Sequence, residues 1–83
     1  MNVIITIPAY NEEKTIRELI SRIKKSLRGS RYNYRILVVD DGSKDKTADI
    51  ARKSGAIVYT HPKNYGLAEC FKTELQKCIE LKA

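Results

Sequence analysis

The stretch Ile36-Leu37-Val38-Val39-Asp40-Asp41-Gly42-Ser43 decides how this 83-residue chain is read. With Tyr34 and Arg35 before it, the apolar part predicts a strand over Tyr34–Val39. The run is continuous instead of alternating, the pattern of a strand covered on both faces within a parallel sheet. It breaks abruptly into two carboxylates, a glycine and a serine, a turn-forming cluster.

Working outward, Asn2–Pro8 is a second apolar, β-branched run, closed by proline. Between the two strands, Ile16, Leu19, Ile20, Ile23 and Leu27 recur at steps of three or four, which predicts a helix over Glu13–Arg28. Asn11 is the expected cap, Glu12 and Glu13 suit the positive end of the helix dipole, and Gly29 is the expected stop. Beyond Ser43, a short helix is expected over Lys46–Ser54 with Ala48, Ile50 and Ala51 inward. A third strand follows over Ala56–Thr60 and a last helix over Gly66–Lys82, whose apolar face is Leu67, Phe71, Leu75, Cys78 and Ile79. Strands alternating with helices predict one α/β domain, a three-layer Rossmann-like unit of three parallel strands and three helices.

In such a sheet ligands sit beyond the carboxyl ends of the strands. The residues there are Pro8-Ala9-Tyr10-Asn11-Glu12, Asp40-Asp41-Gly42-Ser43 and His61-Pro62-Lys63-Asn64. Tyr10 offers a ring to a base or sugar, and Glu12 can accept from ribose hydroxyls; both also fit a plain helix start. Neighbouring residues at a strand end point in opposite directions, so one of Asp40 and Asp41 faces the crevice. That carboxylate can accept from a ring N–H of uracil or guanine, while Ser43 or Asp45 caps the next helix. His61 and Lys63 are possible phosphate neighbours. No G-x-G-x-x-G follows the first strand and no P-loop pattern occurs, which speaks against dinucleotide cofactors and P-loop phosphate binding.

Composition narrows the partners. The net charge is +6, which attracts polyanions, but the basic residues are scattered without interleaved aromatics, so nucleic acid is an unlikely ligand. The abundance of charged residues (31%) together with Lys, Glu and Ile leans towards a thermophilic composition. The longest apolar runs are too short to cross a bilayer, and no secretory signal opens the chain. Cys70 and Cys78 lie on one predicted helix, at a spacing that fits neither a zinc site nor a disulfide framework; they read as small apolar residues of a reduced cytoplasmic protein.

Three motifs taken together, Ile5–Ile16 (ITIPAYNEEKTI), Ile36–Thr47 (ILVVDDGSKDKT) and His61-x-x-Asn64-x-Gly66, resemble the family 2 glycosyltransferases of GT-A fold, the dolichyl-phosphate mannose and glucose synthases above all. The resemblance covers nearly the whole chain. It implies that Pro8, Ala9, Tyr10 and Glu12 line a nucleoside pocket and that Val39 and Asp41 meet the base, with Asp40 in support. The implied donor is a UDP- or GDP-sugar, transferred with inversion while Mn²⁺ or Mg²⁺ holds the diphosphate. The Asp-x-Asp motif that carries this metal in the family is absent, as are the acceptor-side base and pocket. No metal ligand or catalytic residue is therefore expected within this chain, which reads as the donor-binding half, ending before that motif and inactive alone. Glu74 replaces a small glycine of the family. The alternative is a non-catalytic α/β module that binds a nucleotide or a protein. The first strand would border the fourth strand of the full fold, so its Asn2–Ile7 edge is expected to be open, inviting a homodimer or a complementing second half. Peripheral contact with the cytoplasmic face of a membrane remains compatible with this reading.

Overall fold

A computed structural model describes residues 2–82. Its elements are β1 (Asn2–Ala9), α1 (Ile16–Leu27), β2 (Asn33–Asp40), α2 (Thr47–Lys53), β3 (Ile57–Thr60) and α3 (Leu67–Lys82). The strands form one parallel sheet in the order β1-β2-β3. β2 is thus the central strand, and its two faces explain its unbroken apolar run. Ile36 and Val38 join Ile7, Ala9, Ile16, Ile20 and Ala51 in one core. Leu37 and Val39 join Cys70 and the half-buried Ile4 and Cys78 in the other. Helices α1 and α2 therefore cover one face and α3 the other, the expected three layers.

Register places the functional loops side by side. Pro8 pairs with Val39 and Ala9 with Asp40, while Asp40 pairs with Thr60 on its other side. Two further backbone hydrogen bonds, Asp41 N to Ala9 O and His61 N to Asp40 O, both 2.8 Å, carry the ladder one residue past the strands. Among the described residues β1 and β3 each pair with β2 alone, so both outer edges of the sheet are open.

Two expectations need correction. Helix α1 begins at Ile16, not Glu13, and Asn11 does not cap it; its N-cap is Thr15, without a side-chain cap bond. Asn11 takes a left-handed conformation (φ 51°), and the amides of residues 11–13 turn to side chains of the loop after β2. Tertiary acceptors have replaced the local cap.

The second correction concerns α3. Leu67, Phe71, Leu75 and Ile79 do not face the core: they are 74, 60, 53 and 71% exposed. Cys70 and Glu74 point down instead, with Cys78 half-buried beside them. The apolar stripe lies on the helix flank, beyond the narrow three-stranded sheet. Glu74, where the resembling family has glycine, sits in the packed face and is 8% exposed.

Candidate functional site

The loop after β1 is bound to the loop after β2 and the first residue of α2 by five hydrogen bonds. Asn11 N donates to Ser43 Oγ (2.7 Å), Glu12 N to Thr47 Oγ1 (2.7 Å) and Glu13 N to Asp45 Oδ2 (3.3 Å). In return Lys44 N donates to Asn11 Oδ1 (3.0 Å) and Lys46 N to Glu13 Oε2 (3.2 Å). Residues more than thirty positions apart thereby form one rigid rim. Asp45 also accepts from Thr47 N at 3.0 Å, so it supports the start of α2 as expected, although the N-cap residue itself is Lys46.

Asp41 joins this rim to the third loop. Its Oδ1 accepts from His61 Nδ1 (2.8 Å) and Tyr65 N (2.9 Å), and its Oδ2 from Gly66 N (2.9 Å). The Cys70 Sγ lies within 4.8 Å of the same carboxylate. Burial pushes the Asp41 pKa up, but these hydrogen bonds outweigh it and hold the group below its ordinary value. With Asp41 ionised, His61 Nδ1 carries the proton of their shared bond, and Thr73 Oγ1 meets Nε2 at 2.8 Å. His61 is buried, between the rings of Tyr59 and Tyr65. Burial, then the Asp41 charge, pushes the Cys70 thiol up to about 11, so it stays protonated near neutral pH. Its reactivity should follow. With a disulfide reagent at pH 8, the half-buried Cys78 is expected to react quickly and Cys70 only as fast as the domain opens. Equal rates for the two thiols would refute this ordering.

An open cleft lies between the first and third loops. Pro8, Ala9, Tyr10 and Glu12 line one side and Asp41 its back, with Asn64, Gly66, Leu67 and Cys70 opposite. Five residues singled out in the sequence thus share one cleft, where Tyr10 is 42% exposed and Glu12 keeps one carboxylate oxygen on the Thr15 hydroxyl at 3.0 Å. Val39 and Asp40 do not line it. Val39 turns into the core beside Leu37 and Cys70, and Asp40 accepts from Ser43 N at 3.2 Å and from the Ser43 hydroxyl. The alternation of side chains along β2 sends Asp41 one way and Asp40 the other. Both ring nitrogens of His61 are engaged within the protein, which leaves no free donor for a phosphate. Lys63 is exposed and outside the cleft lining, its Nζ 5.9 Å from the Tyr65 ring centre.

The sequence reading missed Cys70 and Asn64 as site residues. Asp41, His61 and Cys70 offer ligand atoms within 4.8 Å of one another, a grouping formed only when α3 closes over the ends of β2 and β3. An acid and a histidine at neighbouring strand ends, followed by a cysteine one turn into a helix, was the available signal. The trio does not suit Mn²⁺ or Mg²⁺. Those ions prefer several oxygen ligands, whereas here the thiol is protonated and the carboxylate already takes three protein donors.

Known proteins resemble this chain in sequence and fold. Over 80 residues the chain is 44% identical to an uncharacterized protein of Methanocaldococcus jannaschii, covering 95% of this chain and 30% of that relative. It is 47% identical over 53 residues to a dolichol-phosphate mannosyltransferase of Pyrococcus furiosus, covering 64% of this chain and 14% of the relative. The chain thus spans less than a third of the length of these relatives. Among solved structures, glucosyl-3-phosphoglycerate synthase of Mycobacterium tuberculosis in complex with UDP superposes with a TM-score of 0.59 at 36% identity, covering 71% of this chain and 21% of that one. Residues 4–79 match glycosyl transferase family 2, and the chain belongs to that family.

Proposed function

We propose that this chain holds the nucleoside end of a UDP- or GDP-sugar, as the donor-binding part of an inverting glycosyl transfer. The observation that carries the reading is the convergence of Pro8, Ala9, Tyr10, Glu12 and Asp41 on one cleft at the carboxyl ends of the strands. The UDP complex of the Mycobacterium tuberculosis neighbour supports the choice of ligand class. In this role the Tyr10 ring stacks on the base or sugar, Glu12 accepts from ribose hydroxyls, and Asp41 presents a fixed negative edge to a base N–H. The divalent ion that neutralises the diphosphate of a nucleotide sugar is supplied with residues outside this chain, as is the acceptor site. The chain by itself binds donor and does not turn it over.

Cys70 and Cys78 are both free thiols, which fits a reducing, cytoplasmic compartment. No described helix is long and apolar enough to cross a membrane. The open Asn2–Ile7 edge of β1 is the pairing site for a second copy of the chain.

Titration of ¹⁵N-labelled protein with UDP and with GDP tests the ligand assignment. Amide shifts are expected at Tyr10, Glu12 and Asp41, and Tyr10→Ala should weaken binding roughly tenfold, as expected for loss of one base–aromatic stack. Shifts confined to other surfaces, or affinity unchanged in Tyr10→Ala, would defeat the donor-binding reading and favour a non-catalytic module.

A further inference from the structure

Most of the accepting capacity of Asp41 is used inside the protein. An ionised carboxylate has two oxygens and roughly four acceptor positions. Oδ1 takes two donors, His61 Nδ1 at 2.8 Å and Tyr65 N at 2.9 Å, and is thereby filled. Oδ2 takes one, Gly66 N at 2.9 Å. A single acceptor position remains, and it belongs to Oδ2. The nearby Cys70 thiol is a weak donor and does not compete for it. Asp41 is only 4% exposed, yet it lines the cleft beside Pro8 and Tyr10, so it offers a ligand one edge.

The orientation of that edge is fixed. His61 cannot swing away from Oδ1, because Thr73 Oγ1 meets its Nε2 at 2.8 Å and the rings of Tyr59 and Tyr65 flank it. The other two donors are backbone amides of the loop after β3 and of its junction with α3. A ligand therefore meets the carboxylate as it stands and cannot turn Oδ1 towards itself.

We infer that the cleft selects uracil over guanine: with three acceptor positions held by His61, Tyr65 and Gly66, Asp41 matches one imide N–H and not a pair of donors. The inference rests on the donor-binding reading above and narrows its ligand to a uridine diphosphate sugar.

The edges of the bases decide between them. Guanine presents two adjacent donors, N1–H and the N2 amine, which a carboxylate matches only with both oxygens open. Here the amine would face the filled Oδ1, losing water without gaining a partner. Uracil presents one donor, N3–H, between two carbonyl oxygens. An open Oδ1 would repel the nearer carbonyl, whereas one covered by two N–H groups does not. Cytosine carries a lone pair at the same ring position, which the charge of Asp41 repels. On the opposite wall Asn64 is exposed, and its carboxamide can donate to a uracil carbonyl. Selection thus comes as much from what the site refuses as from what it binds.

Titration of the ¹⁵N-labelled chain with diphosphates that differ only in the base tests this. Ribose and diphosphate contacts are common to all the probes and cancel in the comparison. UDP should bind roughly tenfold or more tightly than GDP, the usual effect of one hydrogen bond to a charged group. 3-Methyl-UDP, which lacks the imide N–H, should lose a similar factor against UDP. Inosine diphosphate, which is GDP without the N2 amine, should bind as well as GDP. GDP that binds as tightly as UDP, or several-fold more tightly than inosine diphosphate, overturns the inference and leaves donor binding standing. Full affinity for 3-methyl-UDP overturns it equally. If no probe shifts the amides of Tyr10, Glu12 and Asp41, the donor-binding reading falls and takes this inference with it.

Discussion

Asp41→Ala is expected to destabilise the fold by about 3 kcal/mol, the size typical of removing one member of a buried, hydrogen-bonded charge network. The substitution strands three donors at once: His61 Nδ1 and the amides of Tyr65 and Gly66. Those donors hold the loop after β3 and the first turn of α3 against the end of β2, so the loss should spread to α3. Urea denaturation followed by circular dichroism measures it, and a loss below about 1 kcal/mol would show that the network is dispensable. The wild type also predicts a pH signature. The Asp41 pKa is lowered in the folded state, so its contribution is present above the unfolded carboxylate pKa and is lost as pH falls through the folded one. Asp45 is lowered as well, chiefly by the Thr47 hydroxyl, and adds in the same direction. Stability should therefore fall as pH drops below the ordinary carboxylate range, and Asp41→Asn should flatten that acid limb. Because Asp41 is structural in this way, donor binding is better probed at Tyr10, which is exposed and can change without collapse of the site.

Gly42→Ala is the second large effect, at roughly 2–3 kcal/mol for combined backbone strain and overpacking. Gly42 adopts φ +74°, which side-chain-bearing residues avoid. A Cβ there would lie 2.7 Å from Asn64 N and Lys63 Cα, and closer still to the Lys63 carbonyl carbon. All three are backbone atoms and cannot swing aside. The second loop passes directly beneath the third, and only hydrogen fits between them. Thermal unfolding of Gly42→Ala should shift down accordingly, with Asn64 and Tyr65 amides showing the largest chemical-shift changes. An unshifted midpoint would mean that the two loops separate more easily than their packing suggests. Because Asn64 lines the cleft, the same variant is also expected to bind UDP and GDP less well.

Much of this could be read from the chain alone. The continuous run of β2 demanded helices on both faces, because side chains of a central parallel strand alternate between two buried layers. The strand ends then located the loops, and five residues chosen from them do share one cleft. What stayed hidden depended on approach between distant segments. Asn11 looks like a helix cap, and became a tie between loops because Ser43 and Lys44 stand opposite it. Asp41 was already singled out over Asp40, but its three bonds to the loop after β3 appear only in the structure. Helix α3 shows a periodic apolar stripe, yet periodicity tells which residues share a side and not which side meets the sheet.

By itself, then, the sequence determined the element order, the parallel α/β class and the family, because these follow from local hydrophobic period and from motifs at strand ends. Only the tertiary structure decided that Asp41, His61 and Cys70 form one buried network, and that the stripe of α3 turns outward beside an open strand. The reason is physical: hydrogen bonds and packing across thirty residues depend on register and on helix rotation about its axis, and neither quantity is written in any local stretch of chain.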